Sequence, residues 1–212
     1  MNIILFAGQG SQYSGMGKDI YDKYPEFHYI FETGSKILGY DLCKVCFDEN
    51  FEELSRTYYS QPAIMAVSLL CFEAAKKEGL SFEAVAGHSL GEYAAMVASG
   101  ILSLEDGFKV IKARAEAFDK VASSANGAMA AVLKLTADEV REVCDATEGY
   151  VVPVNYNSPV QTVIAGEADA VARASAVFKE KKARVMPLNT ESAFHSEIMK
   201  PASADFYENS KD

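Results

Sequence analysis

The sequence predicts an α/β fold built from two subdomains, and three observations support this expectation. Short apolar runs end at glycine and lead into helical patterns, as after residues 3–6. Residues 128–189 follow the order βαββαβ. Long segments with apolar residues at helical spacing fill the rest of the chain. We therefore expect a large α/β subdomain formed by residues 1–127 plus 190–212 and a small subdomain formed by residues 128–189.

Composition excludes several classes of protein. The 212 residues are 49% hydrophobic and 24% charged, which is ordinary for a globular protein. The formal net charge of −10 argues against a nucleic-acid-binding protein and against attachment to anionic lipid. The sequence has no apolar stretch of about 18 residues and opens without a signal peptide. We therefore expect a cytoplasmic protein that does not span a membrane.

The large subdomain begins with a strand at residues 3–6 and a glycine-rich turn from Gly8 to Gly17. Tyr13 replaces the glycine that a dinucleotide-binding fingerprint would need there. Residues 19–80 are mostly helical, and Pro62 is expected in the first turn of a helix that runs to Lys77. A strand at about 83–86, a helix at 92–99 and a longer helix from Ser103 to about 122 complete this part. Two strands make a poor sheet, so the large subdomain looks incomplete in this chain.

The small subdomain has its own regular order. We expect strands at residues 129–135, 151–156, 161–165 and 184–188, with helices at 138–144 and 168–182. This order is typical of a ferredoxin-like unit.

Gly87-His88-Ser89-Leu90-Gly91 is a G-x-S-x-G sequence between a strand and a helix. In that position a serine on a sharp turn can act as a nucleophile, and the Leu90 N–H can stabilise an oxyanion. The alternative is a purely structural turn.

A nucleophilic serine needs a base, and the chain has three histidines. His88 is adjacent to the serine and should point elsewhere, and His28 lies in an aromatic helix. His195 follows the last strand of the small subdomain, so elimination favours it as the base.

The four cysteines are expected to be reduced thiols. Cys43 and Cys46 form one C-x2-C pair without a second pair at zinc spacing, so no metal site is expected.

Arg114 lies beside the apolar stripe of the helix at 104–122, whereas the other charges of that helix occupy the opposite face. An internal salt bridge or a guanidinium that reaches the surface along its stem explains this position. A guanidinium that binds a substrate carboxylate is the alternative. Helical geometry alone favours the first explanation.

Several motifs together resemble one family. These are Gly8-Gln9-Gly10-Ser11-Gln12, Gln61-Pro62-Ala63, Gly87 to Glu92, Asn155-Tyr156-Asn157-Ser158-Pro159, and Phe194-His195-Ser196 with Met199 to Ala202. In this order they resemble the malonyl-CoA:acyl carrier protein transacylases and, more broadly, the acyltransferase domains of polyketide synthases.

The resemblance implies an α/β-hydrolase-like large subdomain with an inserted ferredoxin-like small one. It implies that Ser89 is acylated, that His195 is the base, and that the N–H groups of Gln9 and Leu90 form the oxyanion hole. Three further residues bind or line the acyl group, with Arg114 holding its carboxylate: Arg114, Gln61 and Asn155. Ala193-Phe194-His195 is similar to the version that accompanies malonyl selection.

The implied substrates are malonyl-CoA and an acyl carrier protein of fatty acid or polyketide biosynthesis, with no metal or redox cofactor, and we expect a monomer. Family members normally continue beyond residue 212, in agreement with the incomplete sheet. Ser192-Ala193 also departs from the glycine-proline or valine-proline pair that is usual in the family. A serine acyl hydrolase, such as a thioesterase, and an inactive piece of the transacylase are the alternatives.

Charge suggests where an acidic carrier protein could dock. Residues 128–189 contain 7 Lys/Arg and 8 Asp/Glu, so the excess of negative charge lies elsewhere. Lys179, Lys181, Lys182 and Arg184 form a basic edge that could attract such a partner. A solvated helix end whose cations suit the helix dipole explains the same residues.

Overall fold

The computed structural model describes residues 1–122 and 126–211 and confirms the α/β class. The chain divides into two compact units, residues 1–116 with 208–212 and residues 117–207. Among the described residues, no helix is both long and apolar enough to cross a membrane.

In the first unit, parallel pairing of two strands sets the position of the loops that follow them. The elements are β1 (Ile3–Phe6), α1 (Lys18–Lys23), α2 (Tyr29–Leu38), α3 (Leu42–Phe47), α4 (Thr57–Lys77), β2 (Ala84–Gly87), α5 (Gly91–Ala98) and the start of α6 (Leu104–Ala122). Short 3₁₀ turns occupy Pro25–Phe27 and Glu52–Ser55. Phe6 pairs with Gly87, so the loops after β1 and β2 leave the same edge of the sheet.

The core of the first unit packs helices around the largest apolar side chains. Phe31, Leu42, Met65, Leu70 and Phe108 are each at most 1% exposed. The α6 helix begins as predicted, because the Ser103 hydroxyl accepts from the Asp106 N–H at 3.0 Å.

The prediction for Pro62 was wrong. The α4 helix starts at Thr57, so Pro62 lies inside it. Proline removes the N–H that would bond to the carbonyl four residues earlier, which is that of Tyr58. The Tyr40 hydroxyl donates to this carbonyl at 3.4 Å, so a residue from outside the helix partly replaces the lost bond.

In the second unit, an antiparallel sheet has the strand order β4-β5-β3-β6. The elements are β3 (Gly127–Leu133), α7 (Ala137–Ala146), β4 (Val151–Ser158), β5 (Gln161–Glu167), α8 (Ala168–Glu180), β6 (Arg184–Pro187) and most of α9 (Lys200–Asn209). A short 3₁₀ turn occupies Glu197–Met199. The α7 helix begins with a capping box, in which Thr136 and Glu139 each satisfy a backbone N–H of the other.

Apolar residues cover both faces of this second sheet. One face packs against α7 and α8 through a cluster that includes Val132, Ile164 and Phe178. The other face packs against Ala117, Phe194 and their neighbours. The second unit is therefore wider than the predicted small subdomain at 128–189, because the end of α6 and the segment after β6 share its core.

Candidate active site

Ser89 lies in a sharp turn between β2 and α5. It has a φ of 53°, a left-handed conformation that is uncommon for a residue other than glycine. Its carbonyl accepts from the Glu92 N–H at 3.1 Å, and the His88 carbonyl accepts from the Gly91 N–H at 3.0 Å. The partly buried side chain of Ser89 therefore stands at the start of a helix, on a backbone held by the first turn of that helix.

The two glycines of the motif allow this turn. A Cβ at Gly91 would lie 2.2 Å from the Phe6 carbonyl oxygen of β1. A Cβ at Gly87 would lie 2.1 Å from both the Gly91 carbonyl carbon and the Glu92 nitrogen. Each contact is with backbone, so no side-chain movement could relieve it. This close approach is typical of a nucleophile elbow.

Two backbone N–H groups of the first unit lie in or near the serine turn. Leu90 begins the helix after Ser89, and Gln9 follows Gly8, whose Cβ position would lie 2.6 Å from the His88 carbonyl oxygen. Within residues 1–122 and 126–211, neither the Gln9 N–H nor the Leu90 N–H donates a hydrogen bond. Donors of this kind can stabilise an oxyanion.

Arg114 is buried, with 7% of its surface exposed, so its guanidinium does not reach the surface along its stem. It donates to the Gln61 side-chain oxygen at 2.5 Å and lies 5.4 Å from the centre of the Tyr93 ring. Burial lowers the pKa of Arg114, and the nearby Tyr93 opposes this shift. A buried guanidinium is stabilised by an anionic ligand that accepts its hydrogen bonds.

Gln61 adds a second donor beside this cation. The residue is 0% exposed, and its Nε2 donates to no partner within the part of the chain that the structure describes. Buried polar groups normally have hydrogen-bond partners. An Arg114 guanidinium and an unsatisfied Gln61 amide together suit an acceptor such as a carboxylate.

The histidines have different surroundings. His28 stacks on Tyr21 with 3.7 Å between ring centres, and its Nε2 lies 2.9 Å from the Tyr21 carbonyl oxygen, so it has a packing role. His88 is exposed at the serine turn. His195 belongs to the second unit, where it is exposed and has a φ of 63°.

The turn that carries His195 is fixed on both sides. The Ser196 hydroxyl donates to the Ala193 carbonyl at 2.6 Å, and Phe194 packs 5.7 Å from the Phe118 ring. A packed turn of this kind can hold a base in a defined orientation.

Asn155 also belongs to the second unit. It is partly buried on β4 opposite Val163, beside a register shift after Pro153. The structure thus groups Ser89, Gln9, Leu90, Arg114 and Gln61 in the first unit and His195 and Asn155 in the second.

The cysteines are free thiols, and no group of three or more metal-binding side chains occurs among the residues that were described. Burial raises the pKa of both Cys43 and Cys46, which disfavours the thiolate that a metal would need.

Sequence reasoning missed two residues of the site. Thr57 accepts a hydrogen bond from the Gln9 side chain at 3.0 Å, and Tyr93 lies beside Arg114. The four-residue spacing of Thr57 and Gln61 could have identified Thr57, had the start of α4 been placed correctly.

The chain is similar to known proteins over nearly its whole length. Residues 3–212 match the family described as acyl transferase domain. Over 203 residues the chain is 41% identical to the malonyl CoA-acyl carrier protein transacylase of Bacillus subtilis, covering 94% of this chain and 64% of that protein. The chain therefore spans less than two thirds of the length of this curated relative.

Two solved structures show the same fold. The malonyl CoA-acyl carrier protein transacylase of Clostridium perfringens matches with a TM-score of 0.90 and 36% identity, covering 98% of this chain and 66% of that one. A structure of a type II polyketide synthase acyl carrier protein in complex with its malonyl transacylase matches with a TM-score of 0.89 and 34% identity. That match covers 96% of this chain and 67% of the other.

Proposed function

Because the chain belongs to the acyl transferase domain family, we propose that it transfers malonyl groups from malonyl-CoA to the phosphopantetheine thiol of an acyl carrier protein. The observation that carries this proposal is the buried pair of Arg114 and Gln61 in the same unit as the Ser89 turn. A serine nucleophile alone fits any acyl substrate, whereas a buried guanidinium beside an unsatisfied amide fits an acyl group with a carboxylate.

The reaction has two halves. His195 takes the Ser89 proton while the hydroxyl oxygen attacks the thioester carbonyl carbon of malonyl-CoA, and the Gln9 and Leu90 N–H groups stabilise the oxyanion. The C–S bond breaks, and coenzyme A leaves as a thiol with the proton from His195. The carrier thiol then attacks the malonyl-serine ester, His195 takes its proton, and Ser89 recovers a proton as the hydroxyl leaves.

Arg114 and Gln61 act on the far end of the acyl group. They bind the malonyl carboxylate and thereby orient the thioester toward Ser89. Asn155 lines the acyl pocket in this proposal. All reacting groups are side chains, backbone N–H groups or substrate atoms, so the proposed reaction uses no metal or redox cofactor.

We also propose the finer architecture and location. The strand order β4-β5-β3-β6 supports a ferredoxin-like small subdomain at 128–189 inserted in an α/β-hydrolase-like large one. Free thiols at Cys43, Cys46, Cys71 and Cys144 suit the reducing cytoplasm. We propose a monomer, which light scattering of the purified chain would test.

The basic edge of the second unit is the proposed docking surface for the carrier protein. Lys179, Lys181, Lys182 and Arg184 are all exposed around the end of α8 and the start of β6. Charge reversal at Lys181 and Lys182 should raise the KM for the carrier protein, whereas reversal at the exposed Lys36 of the first unit should not. An unchanged KM would favour the solvated helix end.

The intact mass of the chain after brief incubation with malonyl-CoA tests the proposed function. We expect a malonyl adduct that is absent from a Ser89→Ala variant. A cooperatively melting chain that forms no adduct would contradict the proposed activity and favour an inactive piece. An adduct that is released to water as fast as to a carrier thiol would favour the acyl hydrolase.

A further inference from the structure

We propose that Thr57 is a positioning residue, which orients the Gln9 backbone N–H through the Gln9 side chain. This inference rests on the proposed function, in which that N–H stabilises the oxyanion. The Gln9 Nε2 donates to the Thr57 hydroxyl at 3.0 Å, across 48 positions of sequence. Thr57 is 0% exposed at the first residue of α4, so the acceptor belongs to a buried and defined part of the first unit.

The loop around Gln9 shows why such an anchor is needed. On the side before Gln9, the backbone is fixed, because Gly8 packs so closely on His88 that a Cβ would lie 2.6 Å from its carbonyl oxygen. On the side after it, Gly10 has a φ of 102° and nothing within 4 Å of its Cβ position. Glycine gives the chain wide conformational freedom at that point. The loop is also held by hydrogen bonds of its own, and the bond from Gln9 to Thr57 ties it to α4.

The position of Thr57 on α4 gives this bond a second consequence. Thr57 and Gln61 are four residues apart, so they lie on the same face of the helix, one turn from each other. The Thr57 hydroxyl accepts from the Gln9 side chain, and the Gln61 side-chain oxygen accepts from Arg114. One helix therefore contacts both the loop that would receive the thioester oxygen and the guanidinium that would receive the carboxylate.

Two variants distinguish the contribution of the Thr57 hydroxyl from that of the rest of its side chain. Thr57→Val keeps the shape and removes the acceptor, whereas Thr57→Ser keeps the acceptor. Loss of an oxyanion donor typically lowers the rate by about 10²- to 10³-fold, and we expect a smaller effect, about 10-fold, when the donor is present but free to turn. The maximal rate of Ser89 malonylation should therefore fall in Thr57→Val, with the half-saturating malonyl-CoA concentration unchanged. Thr57→Ser should restore the rate.

A double-mutant cycle with Gln9→Ala tests whether Thr57 acts through Gln9. This variant removes the Gln9 side chain and keeps its backbone N–H. We expect Thr57→Val to have no further effect in the Gln9→Ala background, whereas independent effects would multiply. Ser68→Ala, a hydroxyl deletion farther along α4, is the matched control and should leave malonylation unchanged. Multiplying effects in the cycle, or an unchanged rate in Thr57→Val, would overturn the inference.

A second readout does not depend on activity. In the ¹⁵N-labelled chain, the backbone amide resonance of Gln9 should shift in Thr57→Val and return toward its original position in Thr57→Ser. An unshifted resonance would overturn the positioning role even if malonylation were observed. A shifted resonance in a chain that is never malonylated would support the contact and contradict the proposed function instead.

Discussion

Replacement of Gly91 by alanine tests the geometry of the serine turn most directly. The added Cβ would lie 2.2 Å from the Phe6 carbonyl oxygen, 2.7 Å from its carbon and 2.8 Å from the Ala7 carbonyl oxygen. Ordinary contact begins at 3.4 Å, so the turn and β1 must separate by roughly 1 Å. Both partners are backbone, and rotamer changes cannot absorb the movement.

The size of the effect follows from that displacement. Overpacking of a close-packed interior costs about 1–3 kcal/mol, and for a chain of this size each kcal/mol lowers the Tm by roughly 2–4 °C. The movement also separates Ser89 from Gln9, which follows Ala7 and Gly8 on the same loop. A misplacement of about 1 Å can lower a rate by about 10²-fold. We therefore expect Gly91→Ala to melt several degrees lower and to be malonylated about 10²-fold more slowly.

The assay combines a thermal melt with single-turnover malonylation followed by intact mass. Gly100→Ala is the matched control at the other end of α5. Gly100 has a φ of 78° and nothing within 4 Å of its Cβ position, so alanine there adds backbone strain of about 1–2 kcal/mol without a clash. It should lower the Tm and leave the malonylation rate unchanged. A Gly91→Ala chain that is malonylated as fast as the wild type would refute the reasoning.

Two further predictions concern single charges. Arg114→Met removes a charged hydrogen-bond donor worth about 1.5–3 kcal/mol, so malonylation should slow by roughly 10- to 100-fold. Acylation by acetyl-CoA, which has no carboxylate on its acyl group, should not slow. Equal losses with both substrates would contradict a carboxylate-binding role. Hydrogen bonds from Thr136 lower the pKa of Glu139 below its ordinary 4.5, so the capping box stabilises the fold above that pH and loses this effect as the pH falls through the lowered pKa. Glu139→Gln should therefore lower the Tm at neutral pH, and its difference from the wild type should shrink as the pH falls below 4.5. A difference that does not shrink in acid would point to lost packing.

Features determined by neighbouring residues could be predicted from the sequence. The sequence predicts the first strand at residues 3–6, where the structure has it, and the G-x-S-x-G turn lies between a strand and a helix as expected. The strand is predicted by a short apolar run. The turn is predicted by glycines at positions where nearby backbone atoms leave no room for a side chain.

Features that depend on distant residues were missed. The Tyr58 carbonyl of α4 accepts a hydrogen bond from Tyr40, which lies on a distant part of the chain. The α9 helix was not predicted because its few apolar residues, such as Ala202, contact a core formed by other elements. The helical wheel did not identify the hydrogen-bond partner of Arg114 for the same reason. A helical wheel describes one helix and contains no information about Gln61 on another.

In the proposed mechanism, the backbone at residue 89 also limits which side chain can serve as the nucleophile. Threonine has the same hydroxyl chemistry as serine, but its branched Cβ is strongly disfavoured at a φ of 53°. Cysteine is unbranched and meets no such barrier. The fold should therefore tolerate Ser89→Cys, which exchanges oxygen for sulfur, better than Ser89→Thr, which adds a methyl group. The backbone conformation restricts this position regardless of the chemistry of the side chain.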